Sequence, residues 1–166
     1  MTEHKPVQLD PLSDLFEPVF AAEPFTLDLG QELLPLFVDH YHEIATHQDI
    51  ELKPRWDKYE LLQAKKMLRV HVARLSGVPI GYAVWVIDAH LHYADSLQAH
   101  NDILFIDKPR RKGRLGMRLI QFSLEQLKAE GVQSVKLHIK LAHDWTRMAE
   151  RLGFVKEEFI LEKRLD

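Results

Sequence analysis

The apolar positions change period several times along the chain, and each change marks an element. Residues 1–29 keep no period, because Pro6, Pro11, Pro18 and Pro24 interrupt them and each disfavours helix in the residue before it. They read as an irregular leader packed on the domain through short apolar pieces, Leu15-Phe16 and Val19-Phe20. Leu34, Phe37, Tyr41 and Ile44 then fall at i, i+3, i+7 and i+10, which predicts a helix over about 33–47 with Pro35 in its first turn. The chain turns at Lys53-Pro54-Arg55, and a short helix is expected over about 57–65.

From there the period drops to two. Leu68, Val70 and Val72 alternate with Arg69, His71 and Ala73, Ser76-Gly77-Val78-Pro79 supplies a turn, and a return strand follows over 80–87. That strand is apolar on both faces, as a central strand is. Residues 88–99 are mixed and rich in histidine, and their pattern assigns them to no element. Ile103-Leu104-Phe105-Ile106 is a continuous apolar run, read as a second central strand. Met117, Ile120, Leu124 and Leu127 share one face of a helix that ends near Glu130, with Gly131 just beyond it. Val135, Leu137 and Ile139 make a strand, a short helix covers about 143–152 before Gly153, and the alternation over 154–165 predicts a final strand.

Composition narrows the classes. The 166 residues fit a single domain over 30–166 behind the leader, with 46% hydrophobic residues and no apolar run long enough to span a membrane. No residue is a cysteine, which removes thiol nucleophiles and cysteine-ligated metals and suits a reducing, cytoplasmic setting. The net charge of −3 gives no overall basic field, so nucleic acid is not an expected partner.

One stretch departs from that balance. Residues 108–118 carry six basic side chains and no acid, between an apolar strand and an amphipathic helix. Small residues at a helix start let backbone N–H groups approach an anion, and the helix dipole and flanking arginines add to the attraction. A solvated basic turn has the same composition. The Walker and dinucleotide glycine patterns are both absent.

The order of hairpin, strand, basic loop, helix, strand, short helix and Gly-Phe resembles the GNAT (Gcn5-related) N-acetyltransferases. Arg111-Lys112-Gly113-Arg114-Leu115-Gly116 is similar to their Gln/Arg-x-x-Gly-x-Gly/Ala signature, with Ile106 as the aliphatic residue five positions earlier. It departs in having Arg114 where the family has its first glycine. Glu150-Arg151-Leu152-Gly153-Phe154 resembles the family's Glu-Lys-Leu-Gly-Phe ending. Gly81-Tyr82, His90-Leu91-His92-Tyr93 and Met117-Arg118-Leu119-Ile120 are similar to segments of phage and prophage members.

The resemblance implies a mixed α/β fold, a mainly antiparallel twisted sheet flanked by helices with a V-shaped split between the strands at 103–107 and 134–140. It implies acetyl-CoA as cosubstrate and no metal. Backbone groups of Leu104, Phe105 and Ile106 would pair with the pantetheine arm, and Arg111, Lys112, Gly113, Arg114, Leu115, Gly116 and Met117 would hold the pyrophosphate, with His143 a further cofactor-binding residue. An N–H near Ile106 would polarise the thioester carbonyl. A homodimer is compatible with the family.

The acceptor side is less legible. An amine of pKa near 10.4 is free base in only about one molecule in 2,500 at neutral pH, so deprotonation costs on the order of 4–5 kcal/mol and a general base helps. His100, Asp102, His92 and Glu43 are the candidates. The family's usual acid, a tyrosine, is replaced by Ala149, and its asparagine by Ala142. Two functions remain open on this reading, an N-acyltransferase using direct attack on acetyl-CoA and a catalytically weak CoA-binding regulatory protein of phage origin. The pattern His42-Glu43-x-x-x-His47 spaces its histidines five apart, which does not make a zincin site, and His40, Glu43 and His47 instead share a polar helix face.

Overall fold

The computed structural model describes residues 17–111 and 113–165. They form strand β1 (Val19–Glu23), helices α1 (Leu27–Ile44) and α2 (Trp56–Ala64), and strands β2 (Leu68–Leu75), β3 (Val78–His90) and β4 (Tyr93–Ile106). Helix α3 (Leu115–Ala129), strand β5 (Ser134–Lys136) and helix α4 (Thr146–Arg151) follow.

The five strands lie in chain order, antiparallel except for the last pair, β4 and β5. Because β3 sits in the middle, its apolar faces are both covered. One face packs Val70, Val72, Tyr82, Val84 and Phe105 against Leu29, Leu33 and Phe37 of α1, with Trp56 and Tyr59 of α2 alongside. The other packs Ala83, Trp85, Ile87, Ala99 and Ile106 against Leu115, Leu119 and Leu127 of α3. This is the mixed α/β sheet flanked by helices that the sequence led us to expect.

Four local expectations change. Residues 19–23 of the leader are not irregular but form the edge strand β1, paired with β2 from Val19 opposite Arg74 to Glu23 opposite Val70; residues 1–16 lie outside the described part. Helix α1 starts at Leu27, before the first periodic apolar residue, because Thr26 caps it by accepting a hydrogen bond from the Leu29 N–H at 3.1 Å. Pro35 therefore sits inside the helix, where it removes the donor to the Gln31 carbonyl; both residues are exposed, so water can serve that carbonyl. The histidine-rich stretch completes a long hairpin, with β3 running to His90 and β4 starting at Tyr93. The final strand is absent: residues 154–165 join no ladder, and all of them but Phe154 are exposed.

Candidate active site

The parallel ladder between β4 and β5 covers three pairs and ends at His100 opposite Lys136. One residue on, a side chain takes over from the backbone. Asn101, buried, accepts from the His138 N–H at 2.6 Å and donates to the His138 carbonyl at 3.4 Å. On the other edge of β4 the register with β3 shifts, from Val84 opposite Ile103 to Trp85 opposite Asn101, leaving Asp102 as the extra residue of a bulge. A bulge bends and over-twists its strand. From Asn101 onward β4 continues to Ile106 with no ladder to residues 137–140, which opens the sheet at the place where the split was expected.

Backbone alternation decides which groups line the opening. The Asp107 N–H bonds to the Ile80 carbonyl at 2.9 Å and so faces β3. Ile106, one residue earlier, turns its N–H and C=O the other way. Its carbonyl accepts from Arg111 Nε at 2.9 Å, which leaves its N–H directed at the opening. Gly81 lets β3 and β4 approach here, since a Cβ on it would collide with Ile106 Cδ1 and lie 2.9 Å from the Phe105 carbonyl oxygen.

The basic loop closes the end of β4. Arg111 forks onto Glu43 of α1, with its two terminal nitrogens 2.5 and 2.7 Å from the carboxylate oxygens, and its guanidinium lies 5.1 Å from the centre of the Phe105 ring. The Arg111 hydrogen bonds, opposed by partial burial, hold the Glu43 carboxyl below its ordinary pKa. His143 stands 3.8 Å from the same carboxylate, and the His40 ring packs 5.0 Å from Phe105. Burial pushes His40 down to about 4, so it is a neutral imidazole at neutral pH.

Gly113 takes a left-handed conformation, φ 87°, and delivers the chain into α3. Helix α3 begins without a side-chain cap or an acid in its first turn, and its first internal bond runs from the Arg118 N–H to the Arg114 carbonyl at 2.8 Å. The N–H groups of Leu115, Gly116 and Met117 are thus unpaired among the described residues and point toward the loop, flanked by exposed Lys108, Arg110 and Arg114. A Cβ at Gly116 would reach Ile106 Cγ1 at 3.7 Å and Met148 Cε at 3.9 Å, so this glycine borders the space between β4 and α4. Lys112 lies outside the described residues.

The four acceptor-side candidates do not gather in one place. Asp102 is exposed on the bulge and accepts from the Tyr59 hydroxyl at 3.3 Å. His100 lies beside the opening with its ring 5.5 Å from that of His138. Partial desolvation, and then the neighbouring His100, hold His138 below the ordinary histidine value. The role given to Glu43 is corrected: both of its oxygens are engaged by a guanidinium, which makes it a poor proton acceptor and ties it to the loop. The role given to His92 is also corrected. It sits in the exposed β3–β4 turn against His90, at the opposite end of β4 from Ile106.

Tyr59, Asn101 and His138 were missed. Asn101 carried one signal, a polar residue in the middle of a buried strand. Tyr82 adds a buried hydroxyl with no hydrogen-bond partner among the described residues, on the Tyr59 and Asp102 side, its pKa raised by burial and then by those two neighbours. Ala149, in the place of the family's acid, is buried in α4. Among the described residues no group of three or more His, Asp or Glu is arranged to hold a metal ion; His40, Glu43 and His47 turn to Phe105, Arg111 and Glu162 respectively.

Comparison with known proteins bears on the whole arrangement. Residues 31–154 match the model of the acetyltransferase (GNAT) family. No curated protein sequence matches the chain. Ribosomal-protein-alanine N-acetyltransferase from Brucella melitensis biovar Abortus 2308 shares the fold with a TM-score of 0.69, at 13% identity over 90% of this chain and 100% of that one. An aminoglycoside acetyltransferase from an uncultured soil metagenomic sample gives 0.69 at 17% identity over 93% and 98%. Glucosamine-6-phosphate N-acetyltransferase from Arabidopsis thaliana gives 0.66 at 14% over 89% and 99%.

Proposed function

Because the chain belongs to the acetyltransferase (GNAT) family, we propose that it transfers an acetyl group from acetyl-CoA to an amine by direct attack within a ternary complex. The amine nitrogen forms the new bond to the thioester carbon, the C–S bond breaks, and CoA leaves as thiolate with the electron pair. The surplus proton of the amine goes to a base. Direct transfer follows from the lack of any cysteine to carry a thioester intermediate.

The observation that carries this reading is the state of Ile106. Its carbonyl is occupied by Arg111 while its N–H faces the opening. A fixed donor there stabilises negative charge as it develops on a thioester oxygen. Along Leu104, Phe105 and Ile106 the first and last turn their backbone groups away from β3 and so offer the pantetheine arm a strand edge, and the unpaired N–H groups at 115–117 with Gly113 and Arg114 suit its pyrophosphate. His143 borders the loop through Glu43. His100 and Asp102 are the bases closest to the opening, and a thiolate leaving group of pKa around 8.5 needs little acid help where Ala149 replaces tyrosine. The acceptor is a small-molecule or protein amine. Among the described residues no helix is long and apolar enough to cross a membrane. The lack of cysteine suits the cytoplasmic location that we assign.

Incubating the protein with acetyl-CoA and a panel of amines and peptides, and following thiol release, tests the proposal. Thiol release that requires an amine supports it. Thermal stabilisation by acetyl-CoA with no turnover on any acceptor would instead favour the second reading, a phage-type CoA-binding regulator, which the alanines at 142 and 149 favour.

A further inference from the structure

The parallel ladder stops at Lys136, yet one residue of the diverging segment beyond it stays fixed. Asn101, 4% exposed in the middle of β4, commits both ends of its side-chain amide to His138: it accepts from the backbone N–H and donates to the carbonyl. A buried amide whose hydrogen bonds go to one residue sets that residue's position. The result is a His138 ring 5.5 Å from the His100 ring, with 33° between the ring planes. His100 is half-buried beside the opening, whereas His138 is exposed. The other charged groups that act on His138 are Asp102 of β4, Lys136 at the end of β5 and Glu158 of the C-terminal segment. The last two pair with each other at 3.3 Å.

The chemistry proposed above gives such a pair a task. An amine that arrives as ammonium, the dominant form at neutral pH, sheds one proton before its nitrogen attacks. It sheds another as the amide forms and CoA leaves as thiolate. A lone imidazole that has taken the first proton accepts the second only after it has been emptied. We propose that His138 empties it, passing the proton that His100 takes from the acceptor on to solvent. This relay rests on the acetyl transfer proposed above, with His100 as the base. The ring separation is short enough for the proton to cross directly or through one water molecule. Desolvation and the neighbouring His100 keep His138 below the ordinary histidine value, so it gives up a proton readily to water at neutral pH. Two imidazolium ions this close repel, so the pair carries one proton at a time.

Replacing the exposed His138 side chain leaves the Asn101 bonds in place, because they go to the backbone. With an amine that the wild type acetylates, His138→Ala and His138→Gln should bind acetyl-CoA normally. In dilute buffer both should turn over on the order of tenfold more slowly, a smaller loss than that of the base itself. Added imidazole, a soluble proton carrier, should restore both variants and leave the wild type unchanged. Glutamine discriminates, since it keeps a polar side chain of similar reach that carries no proton. Nuclear magnetic resonance of the imidazole C2 protons reads the pair without turnover. His100 should titrate at higher pH in either variant, because a neighbouring positive charge is gone. The relay is overturned if His138→Gln keeps the wild-type rate, if imidazole rescues neither variant, or if the His100 titration does not move. A wild type that releases no thiol with any amine removes the acetyl-transfer reading and the relay with it, whereas a normal rate in both variants removes the relay alone.

Discussion

Arg111 and Glu43 are 68 residues apart in sequence and joined by two parallel hydrogen bonds, at 2.5 and 2.7 Å. The same guanidinium holds the Ile106 carbonyl, so one side chain ties the basic loop to the end of β4 and to α1. Its guanidinium is thus engaged within the chain by Glu43 and the Ile106 carbonyl. Glu43→Gln removes the charge from one side of the fork and is expected to weaken acetyl-CoA binding on the order of tenfold, about 1.4 kcal/mol. Arg111→Ala should cost a similar amount, and the double variant no more than either alone, because both act on one unit. Calorimetric titration of the four proteins checks this, and additive losses would contradict it. The pH dependence has a definite sign. The Glu43 carboxyl is lowered, so its stabilising effect is full above the ordinary carboxyl range and fades as pH falls through the lowered value. The stability gap between wild type and Glu43→Gln, read from urea unfolding, should therefore close in acid.

Two glycines make opposite expectations. At Gly116 a Cβ meets only ordinary contacts, at 3.7 and 3.9 Å, so Gly116→Leu should fold and melt near the wild type. Its side chain would extend into the space between Ile106 and Met148, and acetyl-CoA binding should fall sharply. At Gly81 a Cβ would sit 2.9 Å from a backbone oxygen, so Gly81→Ala should destabilise the fold itself, by about 1–3 kcal/mol. Melting curves with and without acetyl-CoA separate the two cases. A Gly116→Leu protein that binds acetyl-CoA normally would remove the loop from the site.

His100 and Asp102 are distinguishable by their pH–rate profiles. If His100 takes the proton, His100→Ala should lose the rising limb of the profile and about 10²- to 10⁴-fold in turnover, with acetyl-CoA binding intact. If Asp102 does, Tyr59→Phe should displace that limb, since the Tyr59 hydroxyl donates to Asp102. A profile that neither variant alters would leave proton removal to solvent.

Acid should unfold the protein partly through two histidines. Burial pushes both His40 and His71 down to about 4, and His71 is fully buried with Nδ1 2.8 Å from Ser123 Oγ. Between the ordinary histidine value of 6.5 and about 4, the unfolded chain binds protons that the folded chain does not. Stability should therefore fall with pH across that window, by up to roughly 3 kcal/mol for a group so shifted. His71→Gln should flatten the slope of unfolding free energy against pH whatever it does to the absolute stability. An unchanged slope would show that His71 titrates normally.

Where an element depends on its own side chains, the amino-acid sequence was enough. Hairpin β2–β3 announced itself by alternation and a Ser-Gly turn, and α3 by its apolar face and Gly131, because both signals act within a few residues. The same holds for the basic loop after β4, whose composition marks it with no knowledge of its neighbours. The sequence by itself therefore determined the sheet-and-helix class and marked out the basic loop that we propose holds the cofactor. Tertiary structure decided what depends on partners distant along the chain. Residues 19–23 become a strand only because β2 offers an edge, whereas 154–165 join no ladder even though Glu158 reaches Lys136 of the edge strand β5. The bulge at Asp102 is a mismatch between two strands, invisible in either alone, and it positions Asp102 beneath Tyr59 and opens β4 beside Ile106. Glu43 looked like a free base until Arg111 closed on it, because an ion pair across 68 residues is a property of the folded geometry and not of the local pattern.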